Sequence, residues 1–286
     1  MTKILILLMA ALFSMTGCLN TAAAETVSTN KNVSDGQGNG KNSIVLTLKA
    51  TYKGFQAPTG IAADKDGNLY VSNWSGGTVT KVDTKGNHSV FADSMGSPAG
   101  LAFDKAGRLY ISDYSEDVIY RVTPGGKKSI FARGFHTPTG IAFSHSGELL
   151  VTNRGSNEIV KVDASGKVKP TAGGMRTPVG VAEDSDGNLY VTNYGGGIIK
   201  VAADGTASTV SDEFGRPGVG IGINDQKIIF AADNGDGCVR TLAADGTTEI
   251  AVDNIGGCVA VPVHANTLYV GSWNDGAVYA YTIGTK

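Results

Sequence analysis

The chain has 286 residues, with 24 Lys and Arg against 26 Asp and Glu and a formal net charge of −2. That balance, without any basic run or stripe, excludes the electrostatic footprint of a nucleic-acid binder. The length leaves room for one repeat-built domain and not for a second.

The chain opens Met1-Thr2-Lys3 and continues as an apolar run from Ile4 to Met15. This run is too short and wrongly flanked for a membrane span and reads as a secretory leader. Met15-Thr16-Gly17-Cys18 looks like a bacterial lipobox, which makes residues 1–17 the leader and Cys18 the lipidated mature N-terminus. Ala22-Ala23-Ala24 would suit ordinary cleavage after Ala24, and Cys18 would then be discarded. Either site predicts export to the bacterial cell envelope, as a lipoprotein or as a periplasmic or extracellular protein. Residues 18–42 are polar and Gly/Asn-rich, too poor in apolar surface to order themselves. They are expected as a flexible linker spanning roughly 25–30 Å, with the lipid as the sole membrane contact.

Residues 43–286 are built on a period near 40. Pro58-Thr59-Gly60-Ile61-Ala62, Pro98-Ala99-Gly100-Leu101-Ala102, Pro138-Thr139-Gly140-Ile141-Ala142 and Pro178-Val179-Gly180-Val181-Ala182 open four units, and weaker starts follow at Gly218 and Cys258. In the first unit 60–64, 69–73, 78–83 and 89–93 read as four strands, joined by turns such as Lys65-Asp66-Gly67-Asn68 with Gly in the left-handed conformation. The fold class predicted is all-β, a six-bladed β-propeller of four-stranded antiparallel blades. The sixth unit ends after three strands. The segment 49–58 aligns with the fourth strand of the first unit (89–98), so an N-terminal strand is expected to close the ring and cover a sheet edge.

Cys238 and Cys258 remain in the mature chain under either leader reading. An even count in an oxidising compartment favours a disulfide. It would close a loop of about 20 residues for on the order of 3 kcal/mol. The alternative is two separate buried thiols.

Pro-x-Gly-Ile-Ala-x-Asp, Gly-Asn-Leu-Tyr-Val-x-Asn and Val79-Thr80-Lys81-Val82-Asp83-x-x-Gly86 resemble NHL repeats and the blades of the SMP-30/gluconolactonase propellers across residues 49–283. The resemblance implies a fold that hosts hydrolases, lyases and binding modules. It also implies, for the hydrolases, a central divalent metal held by Glu, Asn and Asp. The slots for those ligands hold Thr59, Ala99, Thr139, Val179, Val219 and Val259, which points away from metal-dependent lactonase chemistry. The streptogramin lyases share the repeat style but have seven blades and a catalytic His, against six units and no matching His motif here.

Within the repeat, Asn73, Asp113, Asn153, Asn193, Asp233 and Ser272 end the second strand of each unit. They read as caps for backbone N–H groups of the next turn. Asp113 and Asp233 are the metal-ligand candidates among them, too few for calcium, so no cofactor is expected beyond a possible divalent cation. The following position varies: Trp74, Tyr114, Arg154, Tyr194, Asn234 and Trp273. With His136, the histidine in a connection to an innermost strand, these aromatics and one Arg predict a pocket for a small polar or anionic ligand, a glycan or a protein partner. The alternative is that the rings fill the wedge gaps between blades. The function expected is a monomeric binding module, with a lactonase- or lyase-type enzyme as the alternative and no catalytic residue assigned.

Overall fold

The computed structural model describes residues 28–33, 44–243 and 245–285. The expected leader, Cys18 and most of the expected linker lie outside these residues. The chain begins with strands β1 (Ser28–Val33) and β2 (Ile44–Lys53) and then forms blade 1 from β3 (Pro58–Ala63), β4 (Leu69–Asn73), β5 (Thr78–Val82) and β6 (His88–Ala92). Each strand pairs antiparallel with the next, and the same four-stranded sheet recurs at 98–133, 138–172, 178–211 and 217–252. Blade 6 takes its inner strands from the C-terminal part of the chain and its fourth from the N-terminal part. β2 runs antiparallel to Ala277–Thr285, from Ile44 opposite Thr285 to Lys53 opposite Ala277. Ile44 and Leu46 are buried among Leu268, Val270 and Ile283. The predicted closure is therefore present, and the all-β six-bladed fold with it.

Within the expected linker, Ser28–Val33 forms a strand. β1 pairs with the outer edge of β2, with Ser28 opposite Thr47 and Val33 opposite Ile44. An open strand edge offers free N–H and C=O groups, and pairing with it needs no apolar side chain. The composition argument addressed burial and not this.

The Pro-x-Gly motif has a steric origin. The innermost strands converge on the axis until backbone meets backbone. A Cβ on Gly60 would stand 2.0 Å from the Ala99 carbonyl oxygen, and one on Gly180 would stand 2.2 Å from that of Val219. Only glycine fits there. Buried hydroxyls stitch the same junctions. Ser72 Oγ accepts the Gly60 N–H and donates to the Ala99 carbonyl of the next blade at 2.6 Å. Ser112 joins Gly100 to Thr139 in the same way, and Thr192 reaches Gly218.

Six apolar clusters form the core, one between each pair of neighbouring blades. Each wedge is plugged from the inter-blade loop by Phe55, Met95, Phe135, Met175, Phe214 or Ile255, all buried.

The expected disulfide is absent. Cys238 and Cys258 are free and buried. Cys238 lies on the third strand of blade 5 opposite Asp233, and Cys258 on the inner strand of blade 6 opposite Ser272. Burial pushes the Cys238 thiol up to about 11 and that of Cys258 higher still. These are the separate buried thiols of the alternative reading.

Candidate functional site

The loops that enter the innermost strands and the turns after the second strands share one face of the disc. Side chains from all six blades meet there in a crescent. Trp273 and Trp74 lie with ring centroids 6.3 Å apart, and Trp74 and Tyr114 at 4.8 Å. The Arg154 guanidinium sits 5.4 Å from the Tyr114 ring and 5.4 Å from the Tyr194 ring. It donates to the Tyr114 hydroxyl at 2.6 Å, while its Nε is buried without a hydrogen-bond partner. Arg216 stacks on the far side of the series, 5.4 Å from Tyr194. Trp273 Nε1 donates to Thr59 Oγ1 at 3.2 Å, across the closure.

Trp74, Tyr114, Arg154, Tyr194 and Trp273, read from the sequence as one site, are thus brought together. They do not fill the wedges, because Phe55, Met95 and their equivalents already do so. Tyr194 and Trp273 keep about two fifths of their surface exposed, at 41% and 40%.

His136 borders the same crescent. It is exposed, and its backbone N–H is held by Asn153 Oδ1 at 2.7 Å. Gly155, the residue after Arg154, lets this loop settle: a Cβ there would lie 3.1 Å from the His136 Cβ. Gly195 and Gly235 do the same for Arg176 and Arg216, at 3.3 and 3.2 Å. Blades 1 and 2 carry Ser75 and Ser115 at this place and Gln56 and Gly96 in the loop. Blades 3, 4 and 5 therefore each tuck a basic residue against a glycine. Sequence reasoning missed Arg176 and Arg216. The signal was available in Gly155, Gly195 and Gly235, which break the repeat where a basic residue stands 19 positions earlier. Thr137 and Thr177, next to His136 and Arg176, have φ of +48° and +60°. Ala57 holds the same place in blade 1 with φ of +54°, so this conformation belongs to the loop that enters a blade.

The Asn/Asp ring caps N–H groups as expected, but mainly of the loop 16–18 residues upstream and not of the next turn. Asn73 accepts from Gln56, Asn193 from Arg176, and Asp113 from Gly96 and Ser97. Asp113 also caps the following turn through Ser115 and Glu116. Asp233 accepts from Gly215 and Arg216 and pairs with Arg240 at 3.1 Å. With their oxygens engaged by donors, Asp113 and Asp233 do not suit a divalent cation.

Beneath the crescent the axial channel is a cavity of about 70 Å³, lined by Thr59, Gly60, Gly100, Gly140, Val219 and Val261 among others. It holds no carboxylate, amide or imidazole among the described residues, and it is too small for a substrate. A larger cleft of about 640 Å³ opens between blades 4 and 5. Some of its polar groups belong to hairpin turns, and others, such as Tyr190, Lys200, Thr209 and Thr241, stand on strands. Asp184 accepts from Asp186 and Asn188, Asp245 accepts from Thr247, and Asp186 pairs with Lys227. On the crescent, by contrast, the Arg154 Nε is buried without a hydrogen-bond partner.

Comparison with known proteins agrees with this architecture. Structures similar to the chain include a gluconolactonase from Xanthomonas campestris (15% identity, 93% of this chain and 99% of that one, TM-score 0.77). Virginiamycin B lyase from Staphylococcus aureus superposes with 13% identity over 84% of this chain and 99% of that one, TM-score 0.66. A catalytically inactive form of that lyase, a histidine-to-alanine variant, has been crystallised with quinupristin (15% identity, 90% of this chain and 98% of that one, TM-score 0.66). Identities this low establish the shared fold. No curated protein sequence matches the chain significantly. The model of the virginiamycin B lyase family matches residues 48–256, which covers the closing strand and the first five blades. Blade number and the missing His motif had argued against the lyases, and this match overturns that separation. With its six blades, the chain belongs to the virginiamycin B lyase family.

Proposed function

We propose that the protein is a lyase-type enzyme whose substrate docks on the aromatic–arginine crescent. The observation that carries this reading is the family match over residues 48–256, combined with a crescent on the face where the blade connections meet. Elimination needs a group that takes up a proton and a cation that steadies the leaving anion. On this face His136 can serve as the first and Arg154 as the second, and their loops are locked together through Gly155. The test is incubation with virginiamycin B and other cyclic esters, with the products weighed by mass spectrometry. Elimination opens a ring without a change of mass, whereas hydrolysis adds one water. A product of unchanged mass that is lost in His136→Ala supports the proposal. A hydrolysed product, or full activity in His136→Ala, contradicts it.

The aliphatic channel and the donor-engaged Asn/Asp ring favour a second reading, a binding module without chemistry. Saturable ligand binding with no turnover would select it. Export, with Cys18 as the lipidated N-terminus, is part of the proposal and rests on residues 1–24. Metabolic labelling with a fatty acid, lost in Cys18→Ala, would support it, whereas an unlabelled wild type would contradict it.

A further inference from the structure

The crescent is polarised. Blades 6, 1 and 2 contribute Trp273, Trp74 and Tyr114, and blades 3, 4 and 5 contribute Arg154, Arg176 and Arg216 with Tyr194 and, on the entry loop of blade 3, His136. None of the three arginines is paired with a carboxylate among the described residues. The nearby acids have other partners: Asp113 four backbone N–H groups, Asp117 the Thr137 N–H, Glu116 the Tyr120 hydroxyl, Glu158 Asn153 and Ser156, and Asp233 and Asp236 the Arg240 guanidinium. The guanidiniums of Arg154 and Arg216 are held by ring faces, both against Tyr194, and ring faces orient a guanidinium without neutralising it. Arg154 in addition has a buried Nε–H with no acceptor.

We infer that the ligand of this face is an aryl carboxylate, with its ring on the Trp74–Trp273 side and its carboxylate on the Arg154–Arg216 side. The Arg154 Nε–H has no acceptor, and a carboxylate docked beside it would supply one. A planar carboxylate matches the fork of a guanidinium in a way a hydroxyl or an ammonium does not. The two tryptophans and Tyr114 offer an apolar floor for a flat ring, with stacking distances already set by their own packing.

This inference rests on the crescent being the ligand site, and it does not require turnover. Trp74 and Trp273 are the two tryptophans of the chain, so intrinsic fluorescence reports from the ring side of the site. Wild-type protein would be titrated with benzoate, phthalate and 3-phenylpropanoate and with their amides. At least one carboxylate is expected to quench saturably and to bind about tenfold or more tighter than its amide. Arg154→Lys, which keeps the charge and loses the fork, and Arg216→Gln should each weaken that carboxylate by about tenfold and leave its amide unchanged. Unchanged melting temperatures identify the effect as local. Equal affinity for acid and amide, no saturable quenching by any of the acids, or unaltered binding in both variants would overturn the assignment. Lyase activity on a neutral ester with no preference for the acids would sink the charge assignment alone. Acid-selective binding without turnover would sink the enzyme reading alone.

Discussion

Removing one buried hydroxyl should measurably loosen the ring. Ser72 is fully buried, takes the Gly60 N–H at 2.7 Å and gives its own proton to the Ala99 carbonyl at 2.6 Å. It therefore joins two strands of blade 1 and the first strand of blade 2 at the most crowded part of the axis. Ser72→Ala leaves a donor and an acceptor without partners in a dry place. Each such group costs about 1–3 kcal/mol, and since the two share one site their costs combine to about 2–4 kcal/mol. For a domain of this size that is a fall in melting temperature of roughly 5–15 °C. Ser72→Thr keeps the hydroxyl and has precedent in Thr152 and Thr192, which hold the same place in blades 3 and 4, so it should recover most of the loss. Differential scanning calorimetry on the three proteins measures this. A Ser72→Ala protein that melts with the wild type would refute the view that these hydroxyls stitch the blades.

Deletion of residues up to Lys53 should lower the melting temperature sharply and promote aggregation, because it strips β2 from Ala277–Thr285 and removes buried Ile44 and Leu46; unchanged stability would contradict ring closure. Iodoacetamide should leave Cys238 and Cys258 unmodified in native protein and label both in denaturant without reductant, since burial keeps the Cys238 thiol near 11 and out of its reactive thiolate form; failure to label in denaturant would show a disulfide. Acid should unfold the protein through its turn aspartates. At Asp64 and Asp184 burial works against the charge, but hydrogen bonds from Asn68 and Asn188 and from nearby backbone N–H groups outweigh it and hold both carboxyls below their ordinary value. A folded value below the unfolded one means stability that is complete at neutral pH and lost as pH falls below about 4. Circular-dichroism melts from pH 7 to 3 should show that loss, reduced in the Asp64→Asn/Asp184→Asn double variant; identical pH profiles would contradict it.

Much of the architecture was legible because each blade repeats the same local solution. Pro58-x-Gly60 marks where innermost backbones touch, Gly67 marks a turn that needs positive φ, and the alignment of 49–58 with 89–98 marks the closing strand. β1 was not legible, because edge pairing leaves no apolar pattern in Ser28–Val33. The cysteine pairing was not legible either, because an even count says nothing about where the two side chains are placed, and Cys238 and Cys258 stand on strands of different blades. At the site, Trp74, Tyr114, Arg154, Tyr194 and Trp273 stood out by varying where the repeat is otherwise regular. Arg176 and Arg216 keep the 40-residue spacing of His136, but Gln56 and Gly96 hold the same place in blades 1 and 2, so no basic pattern runs through the whole repeat; the Asn/Asp caps tie each of these loops to its strand.

The central claim is that the crescent is where the lyase-family chemistry of this chain takes place. Its most direct measurement is the turnover of virginiamycin B by the wild type and by Trp74→Ala/Arg154→Ala, a change confined to the half-buried face of the disc. The account predicts ring-opened product of unchanged mass from the wild type. It predicts a rate at least about a hundredfold lower in the variant, the scale expected when a charge-stabilising donor is removed, at a melting temperature close to the wild type's. Equal rates in the two proteins would contradict it.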